Sequence, residues 1–141
     1  MPVQPYLFFD GRCEEALEFY KKALGAEVTT LMRFEDAPVP PPPGAVAPGS
    51  ENKVMHAELR VAGTTLLASD GSCNGKPVFQ GMSLAVTLPS VADVERAFAA
   101  LADGGRVQMP LGKTFFAERF GMLTDRFGVG WMLLTEGEPG Q

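Results

Sequence analysis

Two segments of the chain, Tyr6 to Val28 and Leu84 to Val107, share one pattern, and this repeat restricts the fold more than any other feature. Each begins with a run of strand-forming residues. A stripe of apolar residues at helical spacing follows, and then a second short strand. The chain is therefore expected to consist of two similar modules that begin strand, helix, strand.

Both helices carry recognisable ends. Gly25 is expected to stop the first helix, and Gly104 with Gly105 the second, because glycine readily adopts the left-handed conformation that ends helices. Ser90 with Asp93 resembles a capping box at the start of the second helix. The apolar stripes are Cys13, Ala16, Leu17, Tyr20 and Leu24 in the first helix, and Val91, Val94, Phe98 and Leu101 in the second.

The remaining strands complete the two modules. The strand that opens each module is predicted over Tyr6 to Phe9 in the first and over Met82 to Leu88 in the second. The strand that follows each helix is predicted over Glu27 to Phe34 and over Gly105 to Met109. A pair of strands follows in each half, Val54 to Val61 with Thr64 to Ser69, and Phe120 to Thr124 with Gly130 to Thr135. Turns at Ala62-Gly63 and Phe127-Gly128 would reverse the chain. The sequence predicts an α+β protein of two βαβββ modules, residues 1–70 and 81–137, within a single domain of residues 1–141.

Two loops interrupt this pattern. The first, Ala37 to Asn52, contains the proline run Pro40 to Pro43, which is expected to be extended, and which either flanks a pocket as a lid or has no role. The second, Asp70 to Gly81, contains Gly71, Gly75 and Pro77 and joins the two halves.

Composition excludes several classes of protein. A net charge of −5 without any basic run is unfavourable for binding nucleic acid. The apolar stretches are too short to span a bilayer, and the first nine residues lack a basic n-region, so we expect no membrane association and a cytoplasmic location. Cys13 and Cys73 are expected to be unpaired thiols.

Several motifs resemble one known family along nearly the whole chain. They are Pro5 to Phe9, Gly11, Glu15-Ala16, Phe19-Tyr20, Leu24 to Glu27, His56-Ala57, Gly63, Ser69-Asp70, Lys113 to Phe116, Asp125 to Val129 and Trp131-Met132. Together they resemble the PhnB-like proteins of the glyoxalase, bleomycin-resistance and extradiol-dioxygenase superfamily, also called vicinal oxygen chelate proteins. The resemblance implies paired modules that form a cupped mixed sheet with a ligand cavity, and a homodimer. Some members carry the label 3-demethylubiquinone 3-methyltransferase, but this sequence lacks a Gly-rich loop between a strand and a helix, so no methyltransferase cofactor is expected.

Metal-dependent relatives take His and Glu ligands from the first and last strand of each module. Here the matching positions hold poor ligands for a hard cation: Pro5, Leu67 or Ala68, Ser83 and Met132. The acidic residues nearby are Asp10, Glu58 and Asp125, and the chain has a single histidine. We therefore expect no metal and no other cofactor.

His56 has two interpretations. It lies on a strand with Glu58 and Arg60 on its own face, and that face points either to the cavity or to solvent. In the cavity it would bind a ligand or act as acid or base. Elsewhere it would hydrogen-bond a neighbouring strand or loop.

The cavity lining is predicted from the strand patterns. Ser83, Ala85 and Thr87 form a small, mildly polar row that leaves space in the cup. The predicted ligand contacts are His56, Leu7, Phe9, Ser83, Thr87, Phe116, Trp131 and Met132. The alternative is a filled core, in which the aromatic residues Phe115, Phe116, Phe120 and Trp131 only pack.

Three hypotheses for function follow. The first is a protein that binds a small molecule in an apolar cup without the usual metal ligands. The second is a metal-dependent or acid-base lyase, isomerase or dioxygenase, although one histidine completes no catalytic constellation and leaves catalysis open. The third is a partner-binding dimer with a vestigial cavity.

Overall fold

A computed structural model describes residues 3–39, 42–71, 73 and 76–136. The chain divides into two compact units, Met1–Val78 and Phe79–Gln141. Within the described residues, each unit holds one α-helix and four strands. Some residues named in the predictions lie outside the described part of the chain. They are Pro40, Pro41 and Gly75 of the two loops, and residue 137 at the end of the second module.

The elements follow the same order in both units. The first unit contains β1 (Tyr6–Phe8), α1 (Cys13–Leu24), β2 (Glu27–Arg33), a 3₁₀ turn (Phe34–Asp36), β3 (Val54–Val61) and β4 (Thr64–Ser69). The second contains β5 (Leu84–Thr87), α2 (Val91–Ala102), β6 (Arg106–Gly112), β7 (Arg119–Thr124) and β8 (Gly130–Thr135).

The two sheets have equivalent topologies. The strand orders are β1-β4-β3-β2 and β5-β8-β7-β6. The first and last strands of each unit pair in parallel, whereas the other pairs are antiparallel. The predicted α+β fold of two βαβββ modules is therefore confirmed.

The helix signals act as expected. Gly25 follows α1 in the left-handed conformation with φ of 65°, and its N–H donates to the carbonyl of Lys21. Ser90 Oγ accepts the backbone N–H of Asp93 at 3.1 Å and so caps α2. The helix ends at Ala102, and Asp103 precedes the predicted pair of glycines.

Several strand boundaries differ from the prediction, and the largest differences lie in β6 and β5. Strand β6 reaches Gly112 and includes Pro110, which is tolerated because β6 is an edge strand. Strand β5 covers only Leu84–Thr87, the stretch whose residues pair with β8. Strand β2 ends at Arg33, since Phe34 begins the 3₁₀ turn.

Two further features bear on the sequence-based expectations. Cys13 is buried and Cys73 is half-buried, and neither forms a disulfide. No helix in the described parts of the chain is long and apolar enough to cross a membrane.

Candidate functional site

Side chains alternate between the two faces of the first sheet. Helix α1 packs against β2 and β3, and the residues that point to its side are buried, among them Leu7, Ala57, Leu59, Leu66 and Ala68. The intervening residues point to the opposite side. We call this the open face, and its central residues are Tyr6, Phe8, His56, Glu58 and Leu67.

Three polar side chains form a chain across the open face. Tyr6 Oη lies 3.2 Å from Nδ1 of His56. On the other side of the imidazole, Nε2 lies 3.6 Å from Oε1 of Glu58. Strand pairing produces this arrangement, because Tyr6 and Glu58 both pair with Leu67 of the intervening β4.

One tautomer of neutral His56 is compatible with both contacts. With a proton on Nε2 directed at Glu58, the Nδ1 atom of neutral His56 accepts the hydroxyl proton of Tyr6. Glu58 also accepts a hydrogen bond from Thr30 Oγ1 at 3.5 Å. Such a chain can orient a ligand through its oxygen atoms, and it can transfer a proton between Tyr6 and His56.

Aromatic rings lie beside the polar chain. The rings of Tyr6 and Phe8 stack with centroids 4.8 Å apart and an interplanar angle of 27°. The Tyr6 ring is also 5.9 Å from the His56 imidazole. Tyr6 is 38% exposed and Phe8 52% exposed, so the pair presents apolar surface to solvent.

The second sheet has an uncovered side of different chemistry. Ala85 and Thr87 of β5 are exposed and alternate with the buried Val86, so these two small side chains lie on one side of the sheet. Met132 pairs with Met122, and Phe120 pairs with Leu134 on the same side. Phe116 meets Phe120 edge-on at 5.2 Å and is half exposed. This side of the second unit is therefore mainly apolar.

Three of the predicted ligand contacts lie in the cores of their units. Leu7 is buried on the helix side of the first sheet, and Phe9 is buried with its ring 6.2 Å from that of Tyr20. Trp131 is buried too, and its indole N–H donates to Asp125 Oδ2 at 2.9 Å. These three side chains therefore pack in the interiors of their own units.

The other predicted contacts divide between the two units. His56 lies on the open face of the first sheet. Thr87, Phe116 and Met132 belong to the apolar side of the second unit, and Ser83 is exposed next to Gly130, where an added Cβ would come 2.7 Å from Ser83 Oγ. Asp125 forms the predicted turn, because its Oδ1 accepts the backbone N–H groups of Phe127 and Val129 at 2.9 and 3.1 Å.

Tyr6 and Phe8 of the open face were not among the ligand contacts predicted from the sequence. Four consecutive strand formers, Tyr6 to Phe9, show no alternation from which their faces could be assigned. The alternation of His56 and Glu58 with Ala57 and Leu59 in β3 does not assign these faces either, because β4 lies between β1 and β3.

The donors present do not fit a divalent metal. His56 and Glu58 are neighbours, but within the described residues no group of three or more His, Cys, Asp or Glu side chains could hold an ion. Pro5, Leu67 and Met132 at the positions expected from metal-dependent relatives offer no hard donor side chain.

A separate cavity lies in the loop before β3. Its volume is about 370 Å³. It is lined by Phe34, Glu35, Ala37, Val46, Ala47, Pro48, Gly49, Ser50 and Glu51. The 3₁₀ turn and the loop therefore border a cavity within the first unit, and Tyr6, His56 and Glu58 are not among its lining residues.

Comparisons with known proteins agree with this fold. The family described as 3-demethylubiquinone-9 3-methyltransferase matches residues 2–134. Protein YjdN of Escherichia coli is 35% identical over 140 residues, 94% of each chain. The crystal structure of PA1353 from Pseudomonas aeruginosa is 42% identical with a TM-score of 0.82, covering 96% of this chain and 98% of that one.

A second structure carries the family description in its own name. The putative 3-demethylubiquinone-9 3-methyltransferase, PhnB protein, from Bacillus cereus is 31% identical with a TM-score of 0.78, covering 96% of this chain and 99% of that one. A glyoxylase/bleomycin resistance protein/dioxygenase domain from Frankia, 13% identical with a TM-score of 0.67, shares the fold. The chain thus has a glyoxalase-like fold. Within it, the chain belongs to the PhnB-like family described as 3-demethylubiquinone-9 3-methyltransferase.

Proposed function

We propose that the protein binds a small organic molecule on the open face of the first sheet, without a metal. The observation that carries the proposal is the stacked, exposed pair Tyr6 and Phe8, with Tyr6 hydrogen-bonded to His56 and Glu58 lying 3.6 Å from the other side of the imidazole. Small-molecule sites commonly combine an apolar surface with a few polar anchors. Methyl transfer does not enter the proposal, because the sequence lacks a Gly-rich loop suited to its cofactor.

Exposure of these rings favours a binding role. Packing alone would be served by burying them, as Phe9 and Tyr20 are buried on the helix side of the same sheet. An exposed aromatic pair next to polar groups can contribute both stacking and orientation to a ligand. Thr87, Phe116, Met132 and Ser83 stay predicted contacts of the second unit.

Native mass spectrometry of untagged protein tests the proposal, followed by chromatography of the organic molecules released on denaturation. We expect a retained organic molecule that is lost from Phe8→Ala. Leu31→Ala is the matched control, because Leu31 is 37% exposed in the same sheet but pairs with the buried Ala57 of the helix side. A molecule retained equally by both variants would contradict the assignment of the open face.

An acid-base enzyme is the second candidate function. It is favoured by the alignment of Tyr6, His56 and Glu58, which could pass a proton to or from a bound substrate. Incubation with a cell extract and mass spectrometry over time would reveal turnover. If the protein is an enzyme, Tyr6→Phe should abolish turnover while the substrate still binds. If it is a binding protein, the wild type should leave every compound of the extract unchanged over time.

We further propose that the protein is a cytoplasmic homodimer in which both units form one domain. Support for a dimer comes from the edge strand β6, on which Val107 and Met109 are exposed. Light scattering after size-exclusion chromatography should give twice the monomer mass for the wild type. Met109→Glu should lower the measured mass towards that of the monomer, whereas Gln108→Glu should leave it unchanged. A single calorimetric unfolding transition would support one domain, and cell fractionation would test the location.

A further inference from the structure

We infer that the ligand of the open face is an organic cation, a protonated amine attached to a flat apolar body. This inference rests on the proposed function, and it adds the chemical class of the ligand. It follows from the hydrogen-bonding groups, the charges and the rings of the open face.

The polar chain presents acceptors. In the tautomer of His56 that carries its proton on Nε2, the hydroxyl proton of Tyr6 is directed at Nδ1, which leaves the lone pairs of Tyr6 Oη to accept from a ligand. The Nε2 proton then lies on the side of Glu58, whose carboxylate can only accept. A ligand that matches this face must therefore donate hydrogen bonds.

The charge of the face points in the same direction. Glu58 is about two-fifths exposed and carries the negative charge at one end of the Tyr6–His56–Glu58 arrangement. Arg60 lies on the same face of β3, but its guanidinium hydrogen-bonds the β3–β4 region at Thr65 Oγ1 (3.3 Å) and Gly63 O (3.2 Å). The net charge of −5 adds a long-range attraction for cations.

The aromatic pair complements a cation as well. The faces of phenol and phenyl rings carry negative electrostatic potential and attract ammonium groups within about 6 Å of the ring centroid. The stacked rings of Tyr6 and Phe8 also offer a flat apolar surface for the body of the ligand. A neutral aromatic molecule would use only that surface, and an anion would face the Glu58 carboxylate.

Three indole compounds of similar size provide the test: tryptamine (cation), tryptophol (neutral) and indole-3-propionate (anion). Their affinities would be measured by NMR titration of the full chain. The shifts of the His56 ring report on the site without ambiguity, because the chain has one histidine. We expect tryptamine to bind at least about tenfold more tightly than indole-3-propionate and to shift the His56 signals.

Glu58→Gln should reduce that preference to less than about threefold, because it removes the charge and keeps the size of the side chain. Glu51→Gln is the matched control, since it removes a carboxylate that lines the loop cavity instead. Circular dichroism would verify that both variants are folded. If Glu58→Gln were unfolded, Phe8→Leu should weaken tryptamine more than tryptophol.

Each other outcome is decisive. Equal affinities for the three compounds, or a preference that Glu58→Gln leaves intact, would overturn the cation inference and leave the proposed function standing. Loss of the preference in Glu51→Gln would move the cation to the loop cavity and overturn the inference. Failure of tryptamine to bind up to about 5 mM would overturn the cation inference, whereas the proposed function falls only if the mass spectrometry test above fails.

Discussion

The carboxylate of Asp70 accepts the backbone N–H of Cys13 at 2.8 Å, although the two residues lie 57 positions apart. The same Oδ1 atom accepts the N–H of Gly11 at 2.7 Å, and Oδ2 accepts the N–H of Val54 at 2.8 Å. Arg12, directly before α1, makes no capping hydrogen bond through its side chain. Asp70 therefore caps the helix and also fixes the start of β3.

Replacing Asp70 by alanine should strongly destabilise the first unit. It leaves three backbone N–H groups without their acceptor, and we expect the free energy of unfolding to fall by at least about 3 kcal/mol. Urea denaturation followed by circular dichroism measures this. The neighbouring Ser69→Ala, which removes one hydrogen bond to Gly71 N–H, should cost about 1 kcal/mol. Equal losses in the two variants would contradict the capping role.

The two cysteines should differ in reactivity. Burial, and after it the negative charges of Asp70 and Glu14, raise the pKa of the Cys13 thiol well above its ordinary value. Burial also raises the pKa of Cys73, but this side chain is only partly covered. Because the thiolate is the nucleophile, iodoacetamide at about pH 8 should modify Cys73 slowly and Cys13 only after unfolding. Mass spectrometry of the modified peptides would show which cysteine is labelled, and labelling of Cys13 in the native protein would refute the prediction.

A carboxylate on α1 should make stability depend on pH. The hydrogen bonds from Arg33 to Glu14, at 3.0 and 2.7 Å, lower the pKa of that carboxyl from its ordinary value of 4.5. A lowered pKa means that this contribution is complete above the ordinary value and is lost as the pH falls through the lowered one. Thermal unfolding between about pH 6 and 3 should show a shallower decline in Glu14→Gln.

The double variant Glu14→Gln/Arg33→Gln provides the control for this pair. Since each single change already removes the interaction, the double variant should flatten the pH dependence no further than Glu14→Gln does. Additive flattening would show that the two side chains act independently. The size of the effect should be small and reduced by salt, because both side chains are accessible to solvent.

Gly121 should tolerate no side chain. A Cβ atom there would lie 2.7 Å from Cε2 of Phe98 on α2 and 2.8 Å from Cδ2 of Leu111. Gly121→Ala should therefore cost about 1–3 kcal/mol of unfolding free energy through overpacking. Gly112→Ala is the matched control in β6, because a Cβ there meets nothing within 4 Å and should be nearly neutral. Chemical denaturation of both variants gives the comparison.

Local signals made much of the fold predictable. The bounds of β3 and β4 agree with the prediction because their alternation is clear and the turn at Ala62-Gly63 separates them, with φ of 49° and 86° at the two residues. Ser90 and Gly25 marked helix ends through chemistry confined to one turn. Asp70 gave no such signal, because its partners are distant in the sequence.

The candidate site was harder to predict than the fold. In a strand, a shift of one residue moves a side chain to the other face, so the prediction placed Leu7 and Phe9 where Tyr6 and Phe8 lie. For the same reason Trp131 and its neighbour Met132 point in opposite directions, although both were expected to line one cavity. His56 and Glu58 were assigned to one face correctly, since β3 alternates regularly.

The parallel pairing of β1 with β4 has a consequence for the order of folding. Tyr6 pairs with Leu67 and must close a long segment of chain, whereas β3 and β4 are joined by the two-residue turn. Closing a longer loop costs more conformational entropy, and distant contacts form more slowly. We therefore expect the β3–β4 hairpin, with His56 and Glu58, to form early and β1 to dock late. Tyr6 and Phe8 would then reach the open face only in the last step of folding, and a chain trapped before that step would lack the aromatic half of the proposed binding surface.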